Sequence, residues 1–338
     1  MRSFIIRRLL LGLVVLLGTT IVTFFIARVV PSNPAARWVG PRATIEQIER
    51  AKVELGLDKP IYVQYVRYMS DLFRGNWGVS IVSHQPVLKD IQNYLPASLE
   101  LIISGMVMAI IIGVPLGVIS ASHKDRAVDH VSRTISIGAV SLPTFWMAMI
   151  LQLVFFKYLR LFPVGGRLDL GLKLGYQIPT VTGSYIVDSI LAGNPVVFFN
   201  SLWHLFLPAL TLAAYPLGLI ARMTRSSMLE VLNEDYIRVA RAYGLSERRI
   251  TYQYALKNAV APTVTVIALT FAYSMAGTFL IEAVFNWPGL GHYAANSVIS
   301  ADYPAIMGVT ILVAALYVAL NLGVDIIHAI LDPRIKTN

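Results

Sequence analysis

The stretch SSMLEVLNEDYIRVARAYGLSERRITYQYALKNAVAP, residues 226–262, is a long charge-rich segment between two apolar runs of membrane-spanning length. Locally it reads as a helix, a glycine break and a second helix. Ser227 and Glu230 have the S-x-x-E spacing of a capping box, which predicts a helix start there. Met228, Leu232, Tyr236, Val239 and Tyr243 recur at three- and four-residue steps and are expected on one face. Gly244 is expected as the left-handed residue after the first helix, with apolar Leu245 behind it. Ser246 can cap the second helix, which runs towards Asn258. The product is a compact, angled, amphipathic lever between two spans. It holds no nucleophile and base at useful spacing, so it suits docking more than chemistry. A basic loop can also serve only to set topology. A helix–glycine–helix with arginines also resembles a DNA-binding helix-turn-helix. Glu230, Glu234, Asp235 and Glu247 dilute the positive charge, and apolar spans adjoin on both sides, so nucleic acid is a poor partner.

Composition points the same way. Of 338 residues, 56% are hydrophobic and 14% charged, against about a quarter charged in a soluble domain. The mean hydropathy is +0.64. The net charge of +9 fits cytoplasmic loops that collect Lys and Arg. Without cysteine there is no disulfide framework, thiolate metal site or cysteine nucleophile.

Outward from the lever, uncharged runs predict six spans. The first covers about residues 9–30, a retained signal anchor preceded by Arg2, Arg7 and Arg8. The others cover about 99–121, 134–156, 202–222, 259–281 and 303–325. Residues 31–96 are polar and punctuated by Pro and Gly. Helices are expected from Ile45, with Thr44 as cap and Gly56 as stop, and from Ile61 to Phe73, then a short strand over 79–82. Gly113, Pro115 and Gly117 allow close helix approach in the second span. Pro143 and Phe145, in Ser141-Leu142-Pro143-Thr144-Phe145-Trp146, mark a kink that could border a solute path; an ordinary packing kink is the plainer reading. His204 reads as an interfacial histidine that is only hydrogen-bonded. Trp287-Pro288-Gly289 suits a type II turn. Glu282 could line the passage of an amine-bearing solute, or be a snorkelling carboxylate. Asp332-Pro333 should stop the last helix, before Arg334 and Lys336.

Six spans put both termini on one side. The N-terminal arginines, residues 122–133, the lever and the tail fall on the cytoplasmic face, and residues 282–303, with no Lys or Arg, fall outside. No G-x-x-x-x-G-K-[ST], H-E-x-x-H or G-x-S-x-G occurs, and the six histidines form no spaced metal set. No catalytic or metal-binding residue is assigned. Spans nearly free of charge disfavour an ion-coupled secondary carrier and an intramembrane enzyme.

Two strings resemble a known family. Ala240-Arg241-Ala242-Tyr243-Gly244-Leu245, after Glu234-Asp235-Tyr236-Ile237-Arg238, resembles the EAA loop of ABC importer permeases, in its dipeptide, oligopeptide and nickel version. Arg238 and Val239 depart from the general Glu and Ala, and Ala255-Leu256-Lys257-Asn258 replaces the terminal proline pattern. Glu282 to Gly291, EAVFNWPGLG, resembles a second signature of that family, as does the 31–96 region at Leu55–Pro60, Gln64-Tyr65 and Gly75–Ser80. The resemblance implies an all-α integral membrane fold of the type I importer class: residues 1–95 as anchor plus extracytoplasmic segment, and residues 96–332 as the transmembrane domain with its loop at 226–258. It implies ATPase coupling through Tyr236, Arg238, Ala240, Arg241, Ala242 and Gly244. It further implies ATP and Mg held on partner subunits and none on this chain. The partners would be a homologous second permease, two ATPases, an extracytoplasmic solute-binding protein and membrane lipid. The location would be a bacterial inner membrane. The solute would be a dipeptide or short peptide, with nickel or glutathione as alternatives.

Overall fold

Uncharged runs become long helices because a helix satisfies its own backbone groups where no water can. The computed structural model describes residues 2–29, 34–40, 42–54, 56–176 and 179–331. The start of the polar segment at Pro31, Leu55, and the helix stop and basic tail at Asp332, Pro333, Arg334 and Lys336 lie outside the described residues. In order the helices are α1 (Arg2–Val29), α2 (Pro34–Val39), α3 (Ile45–Glu54), α4 (Ile61–Phe73), α5 (Val87–Ser122), α6 (Ala127–Ser141), α7 (Thr144–Gln152) and α8 (Leu170–Gly175). There follow α9 (Tyr185–Leu191), α10 (Pro195–Val231), α11 (Asp235–Ala242), α12 (Glu247–Arg249), α13 (Leu256–Gly277), α14 (Phe279–Val284), α15 (Leu290–Ile299) and α16 (Tyr303–Leu331). Wider π turns extend α7 through Leu153–Tyr158 and join α12 to α13 through Ile250–Ala255.

Among the described residues, α1, α5, α10, the α12–α13 run and α16 are long and apolar enough to cross a membrane. A sixth candidate comprises α6 and α7, bent by 105° at their junction. The single third span expected over 134–156 is therefore broken. Leu142 is extended at φ −81°, ψ 134°, the region favoured before proline, and a new helix starts after Pro143 at a new angle. Pro115 in α5 and Pro208 and Pro216 in α10 are instead absorbed within their helices. At 1.5 Å per residue the 36 residues of α5 extend about 54 Å, well beyond a hydrocarbon core of about 30 Å.

The chain divides into two compact units. One holds residues 96–292 and the chain from 319, the other residues 2–95 and 293–318. In the first, glycines of α5 let it approach α10 closely. A Cβ on Gly105 would stand 2.5 Å from Leu212 Cδ2, and one on Gly117 2.6 Å from the Ala221 carbonyl oxygen. Asp129 at the start of α6 is fully buried and takes two hydrogen bonds from Arg225 of α10, both 2.7 Å, and one from the Ser120 hydroxyl at 2.5 Å. Glu100, inside α5 and not at a helix end, pairs with Arg167 at 2.6 Å and accepts from the Ser184 hydroxyl and the Ile186 N–H.

The second unit is built on aromatic packing. Phe24 of α1 meets Tyr65 edge-on at 5.3 Å and Tyr68 stacked at 5.5 Å, and Thr20 bonds the Tyr65 hydroxyl at 2.8 Å. Thr44 and Gln47 cap α3 reciprocally, and Gly56 beyond it has φ +64°, so the expected cap and stop hold. The strand expected over 79–82 reduces to one isolated bridge between Val79 and Pro86. The polar groups there turn to Asp302 instead, which accepts from the Ser80 hydroxyl at 2.5 Å and the Val82 N–H at 3.2 Å.

Candidate functional site

The lever is built differently from its sequence pattern. Residues 227–230 lie within the last turns of α10, where each N–H already has a helical partner, so the Ser227–Glu230 capping box has nothing to cap. The chain turns at residues 232–234, and α11 starts at Asp235 behind Glu234. That turn resets the helical phase, so the five apolar residues expected on one face divide. Met228 is buried, whereas Tyr236, Val239 and Tyr243 are 40%, 52% and 84% exposed.

The buried face of α11 is Ile237 and Ala240. They join Met228, Ile250, Ala255, Ala259, Val118 and Ala121 in one core cluster, with Leu245 packed against it. This seats α11 on the ends of α5, α10 and the α12–α13 run. Its end is a Schellman motif: the Gly244 N–H bonds the Arg241 carbonyl at 2.9 Å and the Leu245 N–H bonds the Ala240 carbonyl at 3.2 Å. Gly244 has φ +76° with open space where a Cβ would be, so glycine is needed there for the backbone alone. Ser246 precedes the next helix, but its hydroxyl makes no capping bond.

The charged residues stay on the surface. Arg241 bridges to Glu247 at 2.8 Å and Arg238 to Asp235 at 3.1 Å, and exposed pairs of this kind stabilise little. The Tyr236 hydroxyl accepts from Asn258 Nδ2 at 2.9 Å, and Ala242 is exposed. Tyr236, Val239 and Tyr243, at i, i+3 and i+7, thus form an apolar stripe facing away from the protein's own core. α11 is thus a charge-rich helix seated on a hydrophobic core with a second, apolar stripe left exposed. The transport-system family "Binding-protein-dependent transport system inner membrane component" matches residues 113–337, and its N-terminal companion matches residues 1–102.

The chain belongs to this family of permeases. It is 45% identical to the probable D,D-dipeptide transport system permease of Escherichia coli over 98% of this chain and 97% of that one. It is 41% identical to the dipeptide transport system permease of Alkalihalophilus pseudofirmus over 99% and 100%. The oligopeptide transport system permease of Bacillus subtilis is 35% identical over 99% and 100%. The permease is a multi-pass inner-membrane protein.

The remaining candidates of the permease lie elsewhere. Pro143 is the cap residue before α7 at the 105° bend, and it, Phe145 and Trp146 are exposed within this chain. Glu282 is not on that exposed surface and does not snorkel. It is fully buried, accepting from the Ser98 hydroxyl at 2.5 Å and the His292 N–H at 2.8 Å. Burial pushes its carboxyl pKa up, and those hydrogen bonds act against the rise. The loop after it closes around the carboxylate. Trp287 is buried and donates its indole N–H to the Ala97 carbonyl at 2.8 Å, while the Ser98 hydroxyl also accepts from the Leu290 N–H at 2.7 Å. The type II turn expected at Trp287-Pro288-Gly289 is absent, since Gly289 does not have positive φ and its N–H bonds the Trp287 carbonyl at 2.8 Å. Glycine is needed at 289 for space. A Cβ there would stand 2.5 Å from the Glu282 carboxylate. Gly289→Ala is therefore expected to lower stability by about 1–3 kcal/mol, read as an earlier thermal melt of the purified permease. An unchanged melt would remove the close approach as the reason for this glycine.

His204 is buried, with Nδ1 2.9 Å from the Asn200 carbonyl and Nε2 3.5 Å from Asp169, the hydrogen-bonded role expected of it. The Asp129–Arg225 and Glu100–Arg167 pairs escaped sequence reading. Each partner is, locally, an ordinary loop or helix charge, and the pairings join residues 96 and 67 positions apart.

Proposed function

We propose that this permease forms part of the translocation path of an ATP-driven importer for dipeptides or short peptides. In this reading a homologous second permease completes the path, and two ATPase subunits hold ATP and Mg beneath it. An extracytoplasmic binding protein delivers the solute. Both termini are cytoplasmic. Support for the substrate class comes from relatives named for dipeptide and oligopeptide transport, each aligned over nearly the whole chain.

The observation that carries the coupling role is the double-faced α11. One face is locked by Ile237 and Ala240 into the core cluster, and the other presents Tyr236, Val239 and Tyr243. A helix in the groove of an ATPase transmits motion only if it cannot rotate in its own seat, and the Schellman lock at Gly244 provides that restraint. ATP then shifts the transport cycle because the ATP-bound pair grips one permease conformation more tightly than the other. Pro143 and Phe145, at the break between α6 and α7, are proposed to face the path, where an interrupted span is tolerated because it borders water or protein instead of lipid. Glu282 is reassigned from the path to the support of the 282–292 loop.

Gly244→Val tests the lever. Valine tolerates φ +76° poorly, so the Schellman lock should open while the spans still insert. The expected result is normal membrane content with weaker ATPase retention and reduced ATP-driven uptake of a labelled dipeptide. Normal uptake would count against the role of Gly244. Competition of that uptake by dipeptides and by nickel separates the peptide reading from the metal one. Uphill transport by the purified permease without nucleotide or companion subunits would overturn the importer reading altogether.

A further inference from the structure

Two voids share a wall inside the unit formed by residues 2–95 and 293–318. The first is a chamber of about 300 Å³ whose lining includes Arg28, Lys59, Gln64, Arg67, Tyr68 and Trp77. The carboxylates Glu54 and Asp71 also face it. The second is a trough of about 570 Å³ between α1 and α16, bordered by Gly18, Val22, Ile26, Ile306 and Thr310. Ala27, Tyr303 and Met307 line both, so a polar chamber adjoins the end of an apolar trough.

The chamber is polar in an unfinished way. Gln64 gives its Nε2 to the Lys59 carbonyl at 2.8 Å, but its Oε1 is buried without a hydrogen bond, and so is the Tyr68 hydroxyl. Buried polar atoms without partners cost stability, and two around one void call for a ligand or solvent to satisfy them. Among the described residues neither Arg28 nor Arg67 is in an ion pair. Burial pushes the Tyr68 phenol pKa up, so the hydroxyl keeps its proton and can donate it. Depth supplies the remaining argument. The apolar window of α1 ends at Arg28, where a spanning helix leaves hydrocarbon and meets phosphate.

We infer that chamber and trough together bind one glycerophospholipid with a donor-bearing headgroup, phosphatidylethanolamine being the fit. Its acyl chain lies along Gly18, Val22 and Ile306. Its phosphate sits on Arg28 and Arg67, with the Tyr68 hydroxyl donating to a phosphate or ester oxygen. Its ammonium faces Gln64 Oε1, Glu54 and Asp71. A soluble anion would use the guanidinium groups and leave the trough empty, whereas a neutral lipid would leave the guanidinium groups without a counter-charge. The lipid takes both.

The test counts phospholipids retained by the complete transporter, using native mass spectrometry after reconstitution with phosphatidylethanolamine and phosphatidylglycerol. The unsubstituted complex should keep one phosphatidylethanolamine per permease chain. Arg28→Ala with Arg67→Ala should cut retention about tenfold or more, because charge-assisted hydrogen bonds are lost. Gly18→Leu should do the same from the other end. Gly18 borders the trough and a Cβ there meets nothing within 4 Å, so a larger side chain can enter the trough from this position. Arg50→Ala, an exposed arginine paired with Glu46, should change nothing. Phosphatidylcholine, whose ammonium has no N–H, should be kept less well. Retention in the charge and trough variants equal to that of the unsubstituted complex would overturn the inference. So would displacement of the lipid by millimolar inorganic phosphate or dialanine, which would assign the chamber to a soluble ligand. If the double arginine variant does not assemble, Gly18→Leu decides alone.

Discussion

Val239→Asp is expected to reduce ATP-driven peptide uptake about thirtyfold or more while leaving the permease inserted at normal abundance. Val239 is 52% exposed at the middle of the stripe formed with Tyr236 and Tyr243, and its side chain has no role in the cluster beneath. A carboxylate there costs the free permease little, because it stays in water. In a closed interface the same carboxylate is buried without a partner. Loss of a central anchor typically removes about 2 kcal/mol or more of binding, which gives the stated factor. The comparison is Ala240→Asp, whose side chain is 7% exposed and points into the core cluster. That change should lower the amount of folded permease itself. Measuring abundance, ATPase co-purification and uptake together separates the two. Unimpaired uptake by Val239→Asp would sink the assignment of the stripe as the docking face.

Asp129→Ala carries the largest expected stability effect. The substitution strands Arg225, whose side chain is 21% exposed, and strips acceptors from the Ser120 hydroxyl and the Asp125 N–H. Removing one member of a buried pair costs about 3–5 kcal/mol, since the remaining charge stays desolvated. Asp129→Asn keeps one acceptor oxygen, enough for two of the four hydrogen bonds, and should cost less. Replacing Arg225 by Met as well should recover part of the loss, because the stranded charge is then gone. Thermal melting of the unsubstituted protein, Asp129→Ala, Arg225→Met and the double variant gives the cycle. If Asp129→Ala melts like the unsubstituted protein, the pair holds nothing together. The pair joins α6 to α10 near the start of the lever, so the substitution should also loosen ATPase coupling among molecules that remain folded.

The membrane fold and the lever's glycine are properties that nearest neighbours in the chain decide. Uncharged runs of about twenty residues must become helices, and the basic residues flanking them mark candidate cytoplasmic segments. Gly244 was legible because a helix end followed by an apolar residue needs a left-handed backbone, and that requirement is local. The reading failed where periodicity crossed a turn. Met228 and Tyr236 share a face only in an unbroken helix, and two residues of turn after Leu232 put them on opposite sides. At Pro143 the expected kink is present, but its size, 105°, was not legible. A proline can be absorbed, as at Pro115, or can break the helix, as at the α6–α7 bend, and the choice rests on what packs around it.

The amino-acid order by itself determined an all-helical membrane permease with an angled, charge-rich element between two spans, because hydropathy and cap chemistry act over a few residues. Only the tertiary structure decided which face of that element is free. It alone showed that Glu282 supports a loop from within, that Asp129 meets Arg225, and that Arg28 and Arg67 border one chamber. Those facts depend on side chains far apart in sequence reaching the same buried place, and burial there, more than residue type, sets what a charge can do.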